Sequence, residues 1–112
     1  MQKKEVLRRN TDFSGIYKTG ISTGDRYVVV FHRKNNLSYN RIAFLASKKV
    51  GNSVTRNRAR RLMKESYRQI KENFAIGYDI IFIARKTIIH STCAEVKQSM
   101  EAAAKRARIV KK

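Results

Sequence analysis

The sequence predicts a single-domain α/β (α+β) sandwich, one mixed sheet of about four strands packed by helices. Three observations carry this expectation. Residues 26–34 alternate with period two: Tyr27, Val29, Phe31 and Arg33 on one side, Val28, Val30 and His32 on the other. Residues 78–85 contain the unbroken apolar run Ile80-Ile81-Phe82-Ile83-Ala84, which suits a strand buried on both faces. The segments before, between and after repeat apolar residues at helical spacing. A chain of 112 residues can bury one modest core but not two.

The elements follow in order. Residues 12–18 form a short helix, capped by Asp12, striped by Phe13, Ile16 and Tyr17, and ended at Gly20. The strand at 26–34 is followed by a polar turn containing Asn35-Asn36 and a second strand at 41–47. Such a connection favours an antiparallel hairpin. A Gly51-Asn52 turn then opens a long basic helix that ends near Phe74, with Gly77 beyond. After the strand at 78–85 comes a last helix, opened by Thr92 and Glu95 at capping-box spacing and striped by Cys93, Val96, Met100, Ala103 and Ala107. The order is helix, strand, strand, helix, strand, helix, with room for one more short strand. Residues 1–112 read as one domain, with about 1–10 and 107–112 as mobile basic tails.

Charge narrows the function. The 26 Lys and Arg outweigh the 8 Asp and Glu, for a net charge of +18. A field of that sign attracts polyanions. The longest apolar runs are too short to span a bilayer, and the N-terminal residues lack the apolar segment of a signal peptide. A cytoplasmic protein is expected. The lone Cys93 excludes an internal disulfide framework and reads as a small core residue. His32 and His90 have no second ligand at metal spacing, and the carboxylates are dispersed, so neither a metal site nor a catalytic side chain is assigned.

The positive charge is concentrated. Lys48, Lys49, Arg56, Arg58, Arg60, Arg61 and Lys64 fall in a segment without a single acidic residue. On a helical projection Arg56, Arg60, Arg61, Lys64, Arg68 and Lys71 share one arc around Asn57, while Ala59, Leu62, Met63, Tyr67, Ile70 and Phe74 turn to the core. Solvated helix faces usually mix signs, because opposite charges three or four residues apart support the helix. Here Arg56/Arg60, Arg60/Lys64 and Lys64/Arg68 are like-charged pairs, which points to an anionic partner.

The segment SKKVGNSVTRNRARRLMKE resembles the signature of the protein subunit of bacterial ribonuclease P, its centre being Arg56-Asn57-Arg58 after Lys-Lys-Val-Gly-Asn. Asp12-Phe13 with Tyr17 and Gly20, and Tyr78-Asp79-Ile80-Ile81 through Ala84-Arg85, extend the likeness over nearly the whole chain. The resemblance implies a ribonucleoprotein endonuclease that removes the 5′ leader from precursor tRNA. Its RNA subunit does the chemistry with bound Mg2+, and its protein assists. It also implies a left-handed crossover of the basic helix between parallel strands, where the general rule gives a right-handed one. By motif, Lys48, Lys49, Asn52, Arg56, Asn57, Arg58, Arg60, Arg61 and Lys64 face the catalytic RNA, and Arg68 continues their arc. Phe13, Tyr17, Val29 and Phe31 match positions of a cleft for the single-stranded leader. Periodicity alone favours ordinary core packing for the three rings; the resemblance reverses that reading.

The alternative is a ribosomal or other structural RNA-binding protein, which would share the composition but need no aromatic cleft. A helix-turn-helix DNA binder lacks its first helix and tight turn here. A membrane-surface helix would need the apolar side that the core takes, and the chain has no Trp anchor.

Overall fold

The computed structural model describes residues 2–112. Its helices are α1 (Asn10–Thr19), α2 (Ser53–Ile70) and α3 (Cys93–Arg106), and its strands β1 (Ile21–Gly24), β2 (Val28–Lys34), β3 (Arg41–Leu45) and β4 (Tyr78–Ala84). The strands form one mixed sheet in the order β1-β2-β4-β3. Its outermost strand β1 is the extra short strand for which the sequence left room. β2 runs antiparallel to both β1 and β4, whereas β3 is parallel to β4. The basic helix α2 is therefore the crossover of a parallel β3–α2–β4 unit.

This order corrects the expected hairpin. β2 and β3 do not pair with each other; each takes one edge of β4. The physical reason lies in β4. Ile80, Ile81 and Phe82 are all fully buried, and a strand apolar on both sides is most stable at the sheet centre, with partners on both edges. Period-two alternation in β2 and β3 satisfies either pairing.

The sheet's two faces differ. Val28, Val30, Ile42, Ile80 and Phe82 pack with Ala59, Met63 and Tyr67 of α2 and Val96, Met100 and Ala103 of α3 in the main core. An aromatic cluster of Phe44, Tyr67, Phe74 and Phe82 sits inside it, with Phe44 and Phe82 stacked at 5.7 Å. Each such pair adds about 0.5–1.5 kcal/mol beyond area burial. The opposite face carries a smaller cluster of Leu7, Ile16, Ala43 and Ile81, with Phe13, Phe31, Leu45 and Ile83 packed partly buried against it. Among the described residues α1 is the α-helix that covers that face, joined by Leu7 from the segment before it. Tyr27 departs from its expected side: it lies before β2, in the main core, donating its amide to Ser99 Oγ at 3.1 Å and its hydroxyl to Glu95 at 3.0 Å.

Helix ends explain their own positions. The capping box of α3 forms: Glu95 donates its amide to Thr92 Oγ1 at 3.2 Å, and Thr92 donates its own to Glu95 Oε1 at 3.0 Å. For α1 the cap lies earlier than expected. Arg9 holds the N-cap position without a side-chain bond, and Asp12 sits in the first turn, where the helix dipole favours an anion. The segments expected as mobile tails are packed at two points: Leu7 donates its amide to the Ile42 carbonyl at 3.0 Å, and Ile109 is fully buried.

Gly20 joins α1 to β1 where no side chain fits. A Cβ there would clash with the Ile16 carbonyl oxygen and lie 2.7 Å from that of His32. Both obstacles are backbone, so the cost cannot be relaxed by a rotamer change. Gly20→Ala is expected to lower stability by about 1–3 kcal/mol, the range of overpacking. Unchanged urea midpoints for the two proteins would contradict this.

Candidate nucleic-acid interface

Two surfaces concentrate the sequence-predicted residues, and each is built by a different element. The first is the edge of α2. Asn52 caps the helix, accepting the Thr55 amide at 2.9 Å, so its carbonyl is engaged locally while its NH2 is not used by that bond. Lys48 and Lys49 stand exposed in the turn before it, and Arg61 and Lys64 stand exposed along it. None of these four forms an ion pair among the described residues.

The other predicted members are less free. Arg60 donates to the side chain of Asn57, which orders both. Arg68 is paired with Glu65 at 2.5 Å, and this bond, with a second from Gln69, holds the Glu65 carboxyl at about 2. Arg56 lies at the margin of the apolar side with its Nε buried and without a partner. Arg58 donates to the main-chain carbonyls of Ile89 at 3.0 Å and Ser91 at 3.3 Å, fastening α2 to the segment before α3. Lys71 is drawn to Glu5 at 2.9 Å. Among the described residues, Lys48, Lys49, Arg61 and Lys64 are thus the exposed cations of this edge with no ion pair or hydrogen-bond partner, with Arg60 and Asn57 held beside them.

The second surface is the sheet face below α1. Strand register sets three rows across β2, β4 and β3 on this face: Arg33-Asp79-Arg41, Phe31-Ile81-Ala43 and Val29-Ile83-Leu45. The first row is ionic. Asp79 is fully buried, accepting from Arg41 Nε and Nη2 at 2.7 Å each, Asn35 at 3.0 Å and Arg33 Nε at 3.3 Å. Burial pushes its carboxyl up, but these bonds and the Arg41 charge outweigh burial and hold it below the ordinary carboxylate range.

Tyr17 and Phe31 meet over the second row, and Phe13 packs partly buried against the same cluster. The Tyr17 and Phe31 rings touch edge to face at 5.0 Å, and Tyr17 remains 44% exposed. Desolvation raises the Tyr17 phenol above its usual value, so it stays a neutral donor at pH 7. In the third row Val29, Ile83 and Leu45 are partly exposed. All four predicted residues lie on one face, rings at the α1 end and Val29 at the open end. Sequence reading missed Ile83 and Leu45. The alternation in each strand carried the signal, but only the register shows which sides share a face.

Six of the eight carboxylates are committed elsewhere, while Glu72 and Glu101 form no ion pair among the described residues. Glu5, Asp12, Asp25, Glu65 and Asp79 are ion-paired, and Glu95 serves the α3 cap and Tyr27. Among the described residues no three His, Cys, Asp or Glu converge as a metal site. These donors do not fit a magnesium ion held by protein alone.

A cationic helix edge with unpaired Lys and Arg, and a half-covered aromatic surface on the other side of the sheet, define an RNA-binding α/β sandwich protein: the edge suits phosphates and the face suits unstacked bases. Comparison with known proteins sharpens that class. The family profile described as Ribonuclease P matches residues 1–108. A ribonuclease P protein component from Alkaliphilus metalliredigens is 44% identical over 100 residues, covering 89% of this chain and 90% of the relative. The solved ribonuclease P protein of Staphylococcus aureus aligns with a TM-score of 0.85 at 32% identity, over 96% of this chain and 98% of that one. That of Thermotoga maritima aligns at 0.83 and 32%, over 91% and 96%. The chain belongs to the ribonuclease P protein family, the protein subunits of the endoribonuclease that matures tRNA 5′ ends. The match over nearly the full length decides against the ribosomal alternative.

Proposed function

We propose that the two surfaces divide the work of the subunit. The α2 edge, with Lys48, Lys49, Arg61 and Lys64 as its free cations, docks on the catalytic RNA. The face formed by Phe13, Tyr17, Phe31 and Val29, extended by Ile83 and Leu45, receives the single-stranded 5′ leader of precursor tRNA. The observation that supports this most is the half-open aromatic face. A monomeric domain has no packing reason to leave Tyr17 exposed at 44% against a ring it already touches, whereas a base can stack there. Mg2+ is carried by RNA phosphates: five of the protein's eight carboxylates are ion-paired to its own cations, and among the described residues no three His, Cys, Asp or Glu converge. The same reading places the protein in the cytoplasm with its tRNA substrates.

The docking assignment has its own test. Arg61 is exposed and unpaired, so Arg61→Ala should weaken binding to the RNA subunit and reduce the slope of log K against log salt by about 0.9, one phosphate contact. Lys97 lies on α3, 3.4 Å from Gln69, and Lys97→Ala should change the slope far less. Equal changes at both positions would mean diffuse attraction to net charge, and the α2 edge would lose its assignment.

A further inference from the structure

The helix that roofs the aromatic face is weakly seated by apolar contacts. Ile16 is its one fully buried residue, and its N-terminus has no side-chain cap. Besides Phe13, what meets the sheet from its first turn is charge. Asp12 lies 3.6 Å from Arg33 Nη2 and 3.5 Å from Arg41 Nη1, and both guanidinium groups are fixed from below by the buried Asp79. The sheet thus presents two immobilised cations to one carboxylate of α1. Gly15, one turn further on, completes the fit: the Arg33 guanidinium lies across it, so that a Cβ would overlap Nη1 and sit 3.2 Å from Cζ. Glycine inside a helix is unfavourable relative to alanine. Here it leaves room for Arg33 to reach Asp12.

We propose that Asp12 is a positioning residue for leader binding, and that Asp12, Arg33, Arg41 and Gly15 form an ionic latch setting the height and rotation of α1 over the sheet. The latch determines where Phe13 and Tyr17 stand relative to Phe31, one row away from the ionic row. Asp12 touches no base in this arrangement; it acts through the rings. The proposal rests on the leader-cleft reading for its function and on geometry alone for its structure, and the two separate experimentally.

Asp12→Asn removes the charge that faces both arginines. Gly15→Ala favours the helix by propensity but displaces the Arg33 guanidinium, so it opens the latch without weakening α1 itself. The ring contact between Tyr17 and Phe31 is read by NMR in the free protein, together with hydrogen exchange of α1 amides. The affinity ratio of long-leader precursor to mature tRNA is read in the reconstituted holoenzyme. Both variants are expected to weaken the ring contact, speed exchange in α1 but not in β4, and lower the ratio about fivefold, the low end of one lost base stack. RNA-subunit affinity is expected to be unchanged. An unaltered ring contact and unaltered exchange in both variants would overturn the latch. A loosened α1 with an unaltered ratio would overturn the leader-cleft reading and leave the latch as a structural device only.

Discussion

Asp79→Ala is expected to cost about 3–5 kcal/mol of stability, the range for removing one partner of a buried ion pair. The carboxylate is completely enclosed, and Arg33 and Arg41 are themselves only 27% and 24% exposed. Without it, two half-buried guanidinium groups flank one vacated position of the sheet row, with Asp12 as the one carboxylate left facing both. The chain already carries +18, so no surplus of negative charge can relocate to them. Domains of this size are stable by about 5–15 kcal/mol, and a loss on this scale leaves the variant marginal at 37 °C. The pH dependence has a definite sign. The folded carboxyl titrates below its unfolded value of about 3.9, so the stabilisation is complete above that value and is lost as pH falls through the folded one. Asp79→Asn cannot titrate, and its stability should fall less steeply than wild type across that acid window. Melting midpoints from pH 7 down to acid, measured for wild type and both variants, check the prediction. Parallel curves would show that the row contributes nothing.

The same row shows what a sequence reading can and cannot reach. Alternation puts Arg33 on the face of Val29 and Phe31, and the apolar run from Ile80 to Ala84 marks a strand buried on both faces; both are properties of one segment at a time. The Thr92–Glu95 box was legible for the same reason, its two members being a turn apart. Pairing between segments was not. Asp79 lies 46 residues from Arg33 and 38 from Arg41 in the chain, and nothing local says that β4 runs between β2 and β3 rather than beside them. The basic helix was legible as an amphipathic element, yet the uses of its arginines were not: Arg58 is tied to carbonyls beyond β4, which no helical projection includes. Strand β1 escaped because it has four residues, mostly exposed, with no apolar pattern to mark it. Tyr27 was placed on the wrong side because the alternation of β2 was carried one residue past its start.

The remaining large effect distinguishes recognition of a single strand from attraction to charge. Phe31→Leu is expected to reduce the affinity of the holoenzyme for precursor tRNA by about 1–3 kcal/mol, the worth of one base–aromatic stack. The ring projects from the centre of the half-open face, against Tyr17 at 5.0 Å and opposite Ile81 in the sheet register. Leucine keeps most of the apolar volume and the strand position, so the fold should survive, but it has no π face to offer a base. The loss should appear with precursors whose leader is several nucleotides long and vanish with mature tRNA, which has no strand to lay on the sheet. Affinity for the RNA subunit should not change, because the free cations of α2 belong to a separate element on the other side of the sheet. Salt dependence supplies an internal control: a stacking loss lowers affinity at every salt concentration alike, while a phosphate loss changes the slope. A variant that stays folded and keeps the wild-type ratio of long-leader precursor to mature tRNA would show Phe31 to be packing for α1. The leader would then have to be held by the cationic edge alone, and charge substitutions at Lys48, Lys49, Arg61 and Lys64 would have to account for all of the discrimination.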